Sequence, residues 1–362
     1  MATREKKSKQ VNNSAEMQSK KKKKRIILFT IEIVVLLGVL VVFYFARKVE
    51  DNGPIRVDIK EENIVVNTAV AEKESLKGYR NIALFGVDSR TGALGKGTLS
   101  DTIMVASINE DTHEVKLVSV YRDTYLNVGN DKYNKANYAY SQGGPEQGIN
   151  MLNMNLDLNI TDYITVGFTG VIETVDRLGG IMLDITESEI GYLNDYQYSM
   201  AEELDRSYTP LETAGLQRVD GMQAMAYCRI RYTLGDDFRR TERQRDVIIA
   251  MSEEARGASV STLNSIANEV FGYVATSLTL EEILSLMTAL SKYTIVDNGG
   301  FPFQNEYVTE TIHVGSSIVP TNLEENIVLL HEFLFKEMDY EVSEDAIGYS
   351  EQIRTDTSKY IN

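Results

Sequence analysis

The sequence predicts an α/β fold in which a layered mixed sheet is covered by helices on both faces (α/β/α), preceded by one N-terminal transmembrane helix. Three observations predict it. From residue 79 onward, short apolar runs of strand length alternate with longer runs of helical periodicity. Glycine-rich punctuation, Gly143-Gly144-Pro145 and Gly179-Gly180, separates several of these runs. A single long apolar stretch stands near the N-terminus, with the length needed to span a bilayer.

The first 46 residues divide into a basic tail, residues 1–25, and the apolar stretch, residues 26–46. The tail holds ten Lys or Arg against two Glu and shows no apolar periodicity, which predicts disorder. At about 1.5 Å per residue the stretch matches a hydrocarbon core of about 30 Å, and no small-residue cleavage site follows it. The lysines before it predict a single-pass signal anchor of the cell membrane, with the N-terminus cytoplasmic and the remainder extracellular.

Three further segments follow the predicted anchor. Residues 47–78 are mixed and charged, and we interpret them as an extracellular stalk with a short strand over 63–70. Residues 79–340 carry the alternating strand and helix patterns and form the folded domain. Residues 341–362 are acidic and polar, and we interpret them as a loose C-terminal tail.

Within the folded domain, hydrophobic period and turn residues assign the elements in order. Strands are predicted at 81–85, 102–108, 115–120, 163–168, 181–185 and 309–314. Helices are predicted at 146–156, 170–178, 241–256, 261–274, 279–292 and 323–336, with a short helix capped by Asp220. We expect the second and third strands to form a hairpin around the turn 109–114. We expect residues 163–185 to form a βαβ-like unit.

Residues 229–245, RIRYTLGDDFRRTERQR, form the densest arginine cluster of the chain. Arg240 and Gln244 are four residues apart on a predicted helix and therefore point the same way. Arg229 and Arg231 alternate and would share one face of a strand. Guanidinium groups from both elements can close on one anion, because the planar fork of arginine binds phosphate oxygens bidentately.

The start of the second helix and the role of the arginine cluster are separate questions. Thr241 and Gln244 have capping-box spacing, which predicts that the second helix starts at Thr241. The cluster can also be a solvated charged face in which Asp236, Asp237 and Glu242 merely balance the arginines.

Composition excludes several classes of function. The formal net charge is −16 although the N-terminal tail is basic, so the folded part is a poor candidate for binding nucleic acid. The lone cysteine, Cys228, forms no intrachain disulfide and is interpreted as a small buried side chain. The three histidines, His113, His313 and His331, are scattered and show no metal-ligand spacing.

Polar residues follow or precede the predicted strands at the points where α/β folds build ligand sites. Asp88 and Arg90 follow the first strand, Asp101 precedes the second, and Arg122 follows the third. Two carboxylates at neighbouring strand ends can share one hard cation, with phosphate oxygens as further ligands, as Mg²⁺ prefers. Single aspartates at strand ends are more often caps or turn residues, so each position is weak evidence by itself.

Seven segments in order resemble the LytR-CpsA-Psr family of cell-wall glycopolymer ligases, found mainly in Gram-positive bacteria. The segments are GVDSR (86–90), SDT (100–102), SVYRDT (119–124), NKANYAYSQGGP (134–145), VDRLGGIMLDI (175–185), DGMQAMAYCRIRY (220–232) and DDFRRTERQ (236–244). The resemblance covers residues 79–256 closely, and the predicted signal anchor also fits it.

The resemblance implies a membrane-anchored phosphotransferase. It would transfer an anionic glycopolymer, such as wall teichoic acid or capsule, from a polyisoprenyl-pyrophosphate carrier to peptidoglycan by forming a phosphodiester. A hydrophobic pocket between sheet and helices is expected for the prenyl chain. The implied roles are Mg²⁺ (or Mn²⁺) ligands at Asp88 and Asp101, catalytic residues Arg122, Asp237 and Arg240, and pyrophosphate-binding residues Arg90, Arg122, Arg229, Arg231, Arg240 and Gln244.

The chain departs from the family pattern at three places. Leu99 stands before SDT where many relatives carry a basic residue, Tyr121 replaces a proline before Arg122, and Arg239 replaces a common glycine. None of these removes a ligand named above.

Three other functions are alternatives to this transferase. A DNA-binding regulator needs a basic folded domain in the cytoplasm, which conflicts with the predicted topology and the acidic composition. A non-catalytic wall-binding module would tolerate the loss of Asp88 or Arg122, and both are present. A hydrolase of the prenyl-pyrophosphate carrier differs only in using water as the nucleophile, and the sequence does not separate it from a ligase.

Overall fold

The protein is a mixed α/β structure built on one central sheet, seen here in a computed structural model. The structure describes residues 55–56, 59–70, 73–88, 93–231 and 236–361. The strands are β1 (Ile55–Arg56), β2 (Tyr79–Val87), β3 (Ser100–Asn109), β4 (Glu114–Val120), β5 (Tyr125–Asn127), β6 (Tyr133–Lys135), β7 (Asp162–Gly167), β8 (Ile181–Ile185), β9 (Gly215–Val219), β10 (Val274–Thr276), β11 (Thr294–Phe301), β12 (Tyr307–Ile312) and β13 (Gly315–Pro320). The α-helices are α1 (Ala136–Leu156), α2 (Phe168–Leu178), α3 (Glu187–Leu204), α4 (Gly221–Arg229), α5 (Asp236–Arg256), α6 (Val260–Glu269), α7 (Leu280–Ala289), α8 (Leu323–Phe335) and α9 (Glu344–Thr357).

The predicted basic tail, 1–25, and transmembrane span, 26–46, lie outside the described residues. Among the residues that are described, no helix is long and apolar enough to cross a membrane.

The central sheet has the strand order β1-β10-β7-β2-β3-β4-β11. β3 runs antiparallel to both β2 and β4, so the predicted hairpin is confirmed. β7 is parallel to β2, and β11 is parallel to β4. The carboxyl ends of β2, β4 and β7 and the start of β3 therefore meet at one edge of the sheet, which is where the candidate site is built.

Helices cover both faces of this sheet, as the sequence predicts. On one face, alternate β2 residues such as Ala83 and Phe85 belong to the main core, with apolar side chains of α1, α8 and α9. On the other face, Leu117 of β4 packs with Ile248 of α5. Because successive strand residues point to opposite faces, the two cores are separated by the thickness of the sheet.

Local capping signals position the helices that border the site. Gly179, in the left-handed region at φ 83°, ends α2 as predicted. Asp220 caps α4, where its carboxylate accepts a hydrogen bond from the backbone N–H of Gln223 at 2.9 Å. Helices α2, α3 and α4 share a second core that includes Ile172, Leu193 and Met222.

The predicted βαβ unit is wrong in its last strand. β8 pairs with β9 in a separate two-stranded antiparallel ribbon, and the place beside β7 is taken by β10. Burial in β8 alternates strictly, with Ile181, Leu183 and Ile185 inside and the residues between them exposed. That pattern is typical of an antiparallel ribbon with one solvent-exposed face, whereas a central parallel strand is buried on both faces.

The first predicted helix is twice as long as expected, because α1 begins at Ala136 rather than at 146. Gly144 interrupts it with a non-helical conformation, φ 68° and ψ −151°. Pro145 follows directly, so the sequence signal located the second half of this kinked helix and missed the first.

Two segments that the sequence analysis placed outside the folded domain pack on the main core. In the predicted stalk, 47–78, Val70 and Leu76 are buried, and no strand covers 63–70. In the predicted tail, 341–362, α9 buries Ala346 and Ile353. The charged composition of both segments indicated exposure, because each contains only a few apolar residues that become buried.

Short strands were the elements most often missed. Strands β1, β5, β6, β9, β10, β11 and β13 were not predicted, and the expected helix 261–274 ends at Glu269, before β10. β11 contains Asp297, Asn298, Gly299 and Gly300, residue types that are depleted in strands, and its pairing with β4 overrides that preference.

Candidate active site

The predicted strand-end residues meet at one edge of the central sheet. Val87, the last residue of β2, pairs with Ser100 of β3 and with Gly167 of β7. Asp88 follows Val87, while Asp101 lies at a register shift between β2 and β3. Such a bulge re-aims the side chain of its extra residue. Arg122, two residues beyond β4, reaches the same place, because its Nη1 donates to Asp101 Oδ1 at 2.7 Å.

Two aspartates connect three of the predicted arginines. Besides its bond to Arg122, Asp101 lies 3.6 Å from Arg231, measured from Oδ2 to Nη2. Asp237 Oδ1 lies 3.1 Å from Arg240 Nη1, and its Oδ2 lies 3.5 Å from Arg122 Nε. Arg122, Arg231 and Arg240 therefore share one ion-pair network, in which Asp237 contacts both Arg122 and Arg240.

The arginine-rich segment is more helical than predicted. Arg229 is the last residue of α4 and Arg231 follows it, so the expected strand carrying both is wrong. Helix α5 begins at Asp236, which places Thr241 inside the helix; its hydroxyl donates to the Asp237 carbonyl at 3.0 Å, and the predicted capping box is wrong. The helical spacing of Arg240 and Gln244 is confirmed, since both line the same cavity.

This cavity, about 520 Å³ in volume, lies between the sheet and helices α2, α4 and α5. Its polarity changes along α5, from Arg240 and Gln244 to Val247, Ile248 and Met251. Arg240 and Met251 are separated by about 16 Å of helix. One end of the cavity is therefore charged and the other apolar, in the position where the resemblance implies a pocket for a prenyl chain.

The charged end contains buried polar atoms that the protein leaves unpaired. Arg229 Nη1, Arg240 Nε and Gln244 Oε1 have no hydrogen-bond partner among the described residues. A buried donor or acceptor without a partner costs about 1–3 kcal/mol, so such atoms mark a place where a ligand or ordered water would bind.

Electrostatics also favours an anion at this end. Burial lowers the pKa of the Arg240 guanidinium, and the positive charges of Arg122 and Arg231 lower it further against the opposing effect of Asp237. Burial likewise acts to lower the pKa of Arg122, but Asp101 and Asp237 reverse the effect and leave it raised. Both groups stay protonated, and a phosphate beside Arg240 would relieve the repulsion among the guanidinium groups.

Features that sequence reasoning missed lie beside the cluster. Phe168 opens helix α2 at the cavity, and no side chain caps this N-terminus, which leaves backbone N–H groups of the first turn for an anion. Tyr196 of α3 also lines the cavity, although its surroundings in the sequence carry no family motif. Lys135 pairs with Asp123 at 3.0 Å, next to Arg122.

None of the three departures from the family pattern lines the cavity. Tyr121 packs edge-on against Phe238 at 4.7 Å between ring centroids, which anchors the residue next to Asp237. Arg239 donates to Glu242 at 2.9 Å and does not line the cavity. Leu99 is 50% exposed.

The lone cysteine behaves as predicted. Cys228 is a free, buried thiol, and burial raises its pKa to about 12. A thiol with that pKa is protonated at neutral pH and is a poor nucleophile.

Asp88 and Asp101 fit the donor set of a Mg²⁺ site. Both line the cavity beside the arginines, and Asp88 is exposed. No group of three or more His, Cys, Asp or Glu residues suited to hold a metal is found in the described part of the chain. Two carboxylates suffice when phosphate oxygens and water complete the shell, as is usual for Mg²⁺. Arg90, the remaining predicted ligand, lies outside the described residues.

The fold and the site together define an α/β protein with an arginine-lined, half-apolar cavity suited to an amphipathic anion. The chain belongs to the LytR_cpsA_psr family, whose profile matches residues 40–320.

Its relatives include proteins of two organisms, both named polyisoprenyl-teichoic acid–peptidoglycan teichoic acid transferase TagU. The protein of Oceanobacillus iheyensis is 29% identical over 62% of this chain and 65% of its own length. The protein of Enterococcus faecalis is 32% identical over 52% of this chain and 56% of its own length. The chain thus spans less than two thirds of either relative.

Solved structures share the fold. TagT bound to LI-WTA superposes with a TM-score of 0.59 at 17% identity, covering 78% of this chain and all of TagT. The LytR-CPS2A-psr family protein YwtF (TagT) with bound octaprenyl pyrophosphate lipid gives a TM-score of 0.53 at 16% identity, covering 78% and 100%.

Proposed function

We propose that this protein transfers an anionic glycopolymer, of the teichoic-acid type, from a polyisoprenyl-pyrophosphate carrier to a hydroxyl of peptidoglycan. The names of its TagU relatives support this reaction. The observation that carries it is the polarised cavity, with Arg229, Arg231 and Arg240 at one end and Val247, Ile248 and Met251 toward the other. A pyrophosphate head and a prenyl tail have the same polarity.

The transfer is a displacement at phosphorus. The acceptor hydroxyl releases its proton to water, and its oxygen bonds to the phosphorus that carries the glycopolymer. The bond from that phosphorus to the bridging oxygen breaks, and prenyl monophosphate leaves. Negative charge gathers on phosphoryl oxygens, and Arg122, Arg229, Arg231 and Arg240 stabilise it, because they are held in place before reaction. Gln244 donates from its amide to the same oxygens, while Asp237 keeps Arg122 and Arg240 in orientation.

Magnesium is part of the proposal. Asp88 and Asp101 would hold Mg²⁺, which neutralises charge on the pyrophosphate when bound. Mn²⁺ has the same preference for oxygen ligands and is the alternative cation.

We also propose that residues 26–46 anchor the chain in the cell membrane, with the folded domain outside the cell. The basic tail before this span supports that orientation. Protease added to spheroplasts should then digest the folded domain and spare the tail. Removal of the tail alone would reverse the topology.

The direct test of the reaction uses the full chain in detergent, a prenyl-pyrophosphate-linked teichoic acid and peptidoglycan oligomers. We expect a phosphodiester-linked product by mass spectrometry, dependent on Mg²⁺ and lost when EDTA is added. Release of prenyl phosphate without that product, at equal rates with and without acceptor, would instead mean that the protein hydrolyses the carrier. No turnover of the carrier with Mg²⁺ present would reject both reactions.

A further inference from the structure

The guanidinium of Arg229 is held by aromatic rings. Its central carbon lies 5.2 Å from the ring centroid of Phe168 and 5.5 Å from that of Tyr196. All three residues line the cavity. The two rings come from the start of α2 and from α3, so elements outside the arginine-rich segment set the direction of this side chain.

The three arginines of the ion-pair network are held differently. Arg122, Arg231 and Arg240 each have a carboxylate oxygen within 2.7, 3.6 and 3.1 Å respectively. Arg229 forms no ion pair with any carboxylate of the described residues, and its Nη1 is buried without an acceptor.

The choice of partner has a chemical consequence. A carboxylate accepts the same N–H groups that a phosphate oxygen needs, and it cancels the charge that attracts the phosphate. An aromatic face stabilises the cation through its quadrupole and takes none of the N–H donors. Arg229 can therefore meet an anion with its charge and its donors intact.

We propose that Phe168 and Tyr196 are positioning residues for Arg229. Their rings hold its guanidinium, without a carboxylate partner among the described residues, where it can bind the pyrophosphate of the lipid carrier. The proposal rests on the proposed function, because it assumes that a prenyl pyrophosphate occupies the cavity. Tyr196 thereby takes part in pyrophosphate recognition, a role that the sequence around Tyr196 does not reveal.

The test measures the Kd of farnesyl pyrophosphate by calorimetry with the full chain in detergent. Tyr196→Leu removes the ring face and should raise Kd about threefold to thirtyfold. Tyr196→Phe keeps the face and should stay within about twofold of wild type. The matched control is Tyr198→Leu, since Tyr198 is 54% exposed on the same helix. Phe168→Leu removes the other ring and gives an independent measurement if Tyr196→Leu does not fold.

A double-substitution cycle separates positioning from packing. In the Arg229→Gln background the guanidinium is absent, so adding Tyr196→Leu should raise Kd no further. An equal rise in both backgrounds would mean that the ring only packs against the cavity wall, and would overturn the inference. Wild-type affinity in both Tyr196→Leu and Phe168→Leu would overturn it as well while leaving the proposed function intact. No binding by the wild-type protein would reject the proposed function and this inference together.

Discussion

His331 is a buried side chain of α8 whose protonation is linked to folding. Its ring stacks on Tyr340 with 3.5 Å between centroids, and its Nε2 lies 3.1 Å from the Leu156 carbonyl oxygen. Burial lowers the pKa of the imidazole to about 4, from an ordinary value of 6.5. Between these two values the unfolded chain binds a proton that the folded protein excludes.

The free energy of unfolding should therefore decrease as pH falls from 6.5 toward 4, by up to about 3 kcal/mol from this residue. His331→Gln keeps a donor for the Leu156 carbonyl and removes the titration, so its unfolding free energy should depend less on pH. Urea unfolding at several pH values measures this, with His313→Gln, at an exposed position, as the control. Equal pH dependence in wild type and His331→Gln would contradict the linkage.

Among the elements, α2 and α4 meet so closely that only glycine fits between them. A Cβ added to Gly221 would lie 2.3 Å from the Ile172 carbonyl oxygen, a backbone atom that cannot yield easily. Gly221→Ala should destabilise the protein by about 1–3 kcal/mol and disturb the cavity that both helices line. The control is Gly191→Ala in α3, where nothing lies within 4 Å, and about 0.5–1 kcal/mol of stabilisation is expected. Thermal unfolding that ranks the two variants in the opposite order would refute this packing.

Helix α9 gives a second test among the elements, because the sequence suggested a loose tail there. Ile353 is 2% exposed and packs in the main core. Ile353→Ala should lower the free energy of unfolding by about 2–5 kcal/mol, measured by urea denaturation. Glu351→Ala, at an exposed site on the same helix, should change it by less than about 0.5 kcal/mol. A change of that small size in Ile353→Ala would restore the interpretation as a tail.

The elements that sequence predicts best are those specified by local signals. Asp220 and Gly179 act as caps within one helical turn, so they mark α4 and α2 without knowledge of the fold. The membership of β8 in a separate ribbon depends instead on β9, some thirty residues later, and on β10, which occupies the place beside β7. Non-local pairing of this kind leaves little trace in a single sequence.

The residues of the candidate site also divide into those with a local sequence signal and those whose contacts are non-local. Asp88, Asp101 and Arg122 follow from strand ends, and Arg240 with Gln244 follows from helical spacing. The contact of Tyr196 with Arg229 joins residues of α3 and α4 that are 33 positions apart. No local pattern around Tyr196 signals it, which explains why sequence reasoning identified the arginine and missed the ring.

Across the whole molecule, the distribution of charge favours binding of an anion at the charged end of the cavity. The formal net charge is −16, yet the charged end of the cavity gathers arginines from both sides of the α4–α5 connection and from the end of β4. An acidic protein that concentrates cations in one place creates a local field that attracts an anion there. The apolar end of the cavity then selects anions that carry a hydrophobic tail.

The guanidinium groups of the charged end should close on one pyrophosphate, and single-turnover transfer by Arg229→Lys and Arg231→Lys tests this most directly. Lysine keeps the charge and loses the bidentate fork, so each variant should slow transfer by about two to three orders of magnitude. Arg354→Lys, 62% exposed on α9, is the control and should transfer at the wild-type rate. Near-wild-type rates in both cluster variants would show that Arg229 and Arg231 do not bind the transferring pyrophosphate through their guanidinium forks.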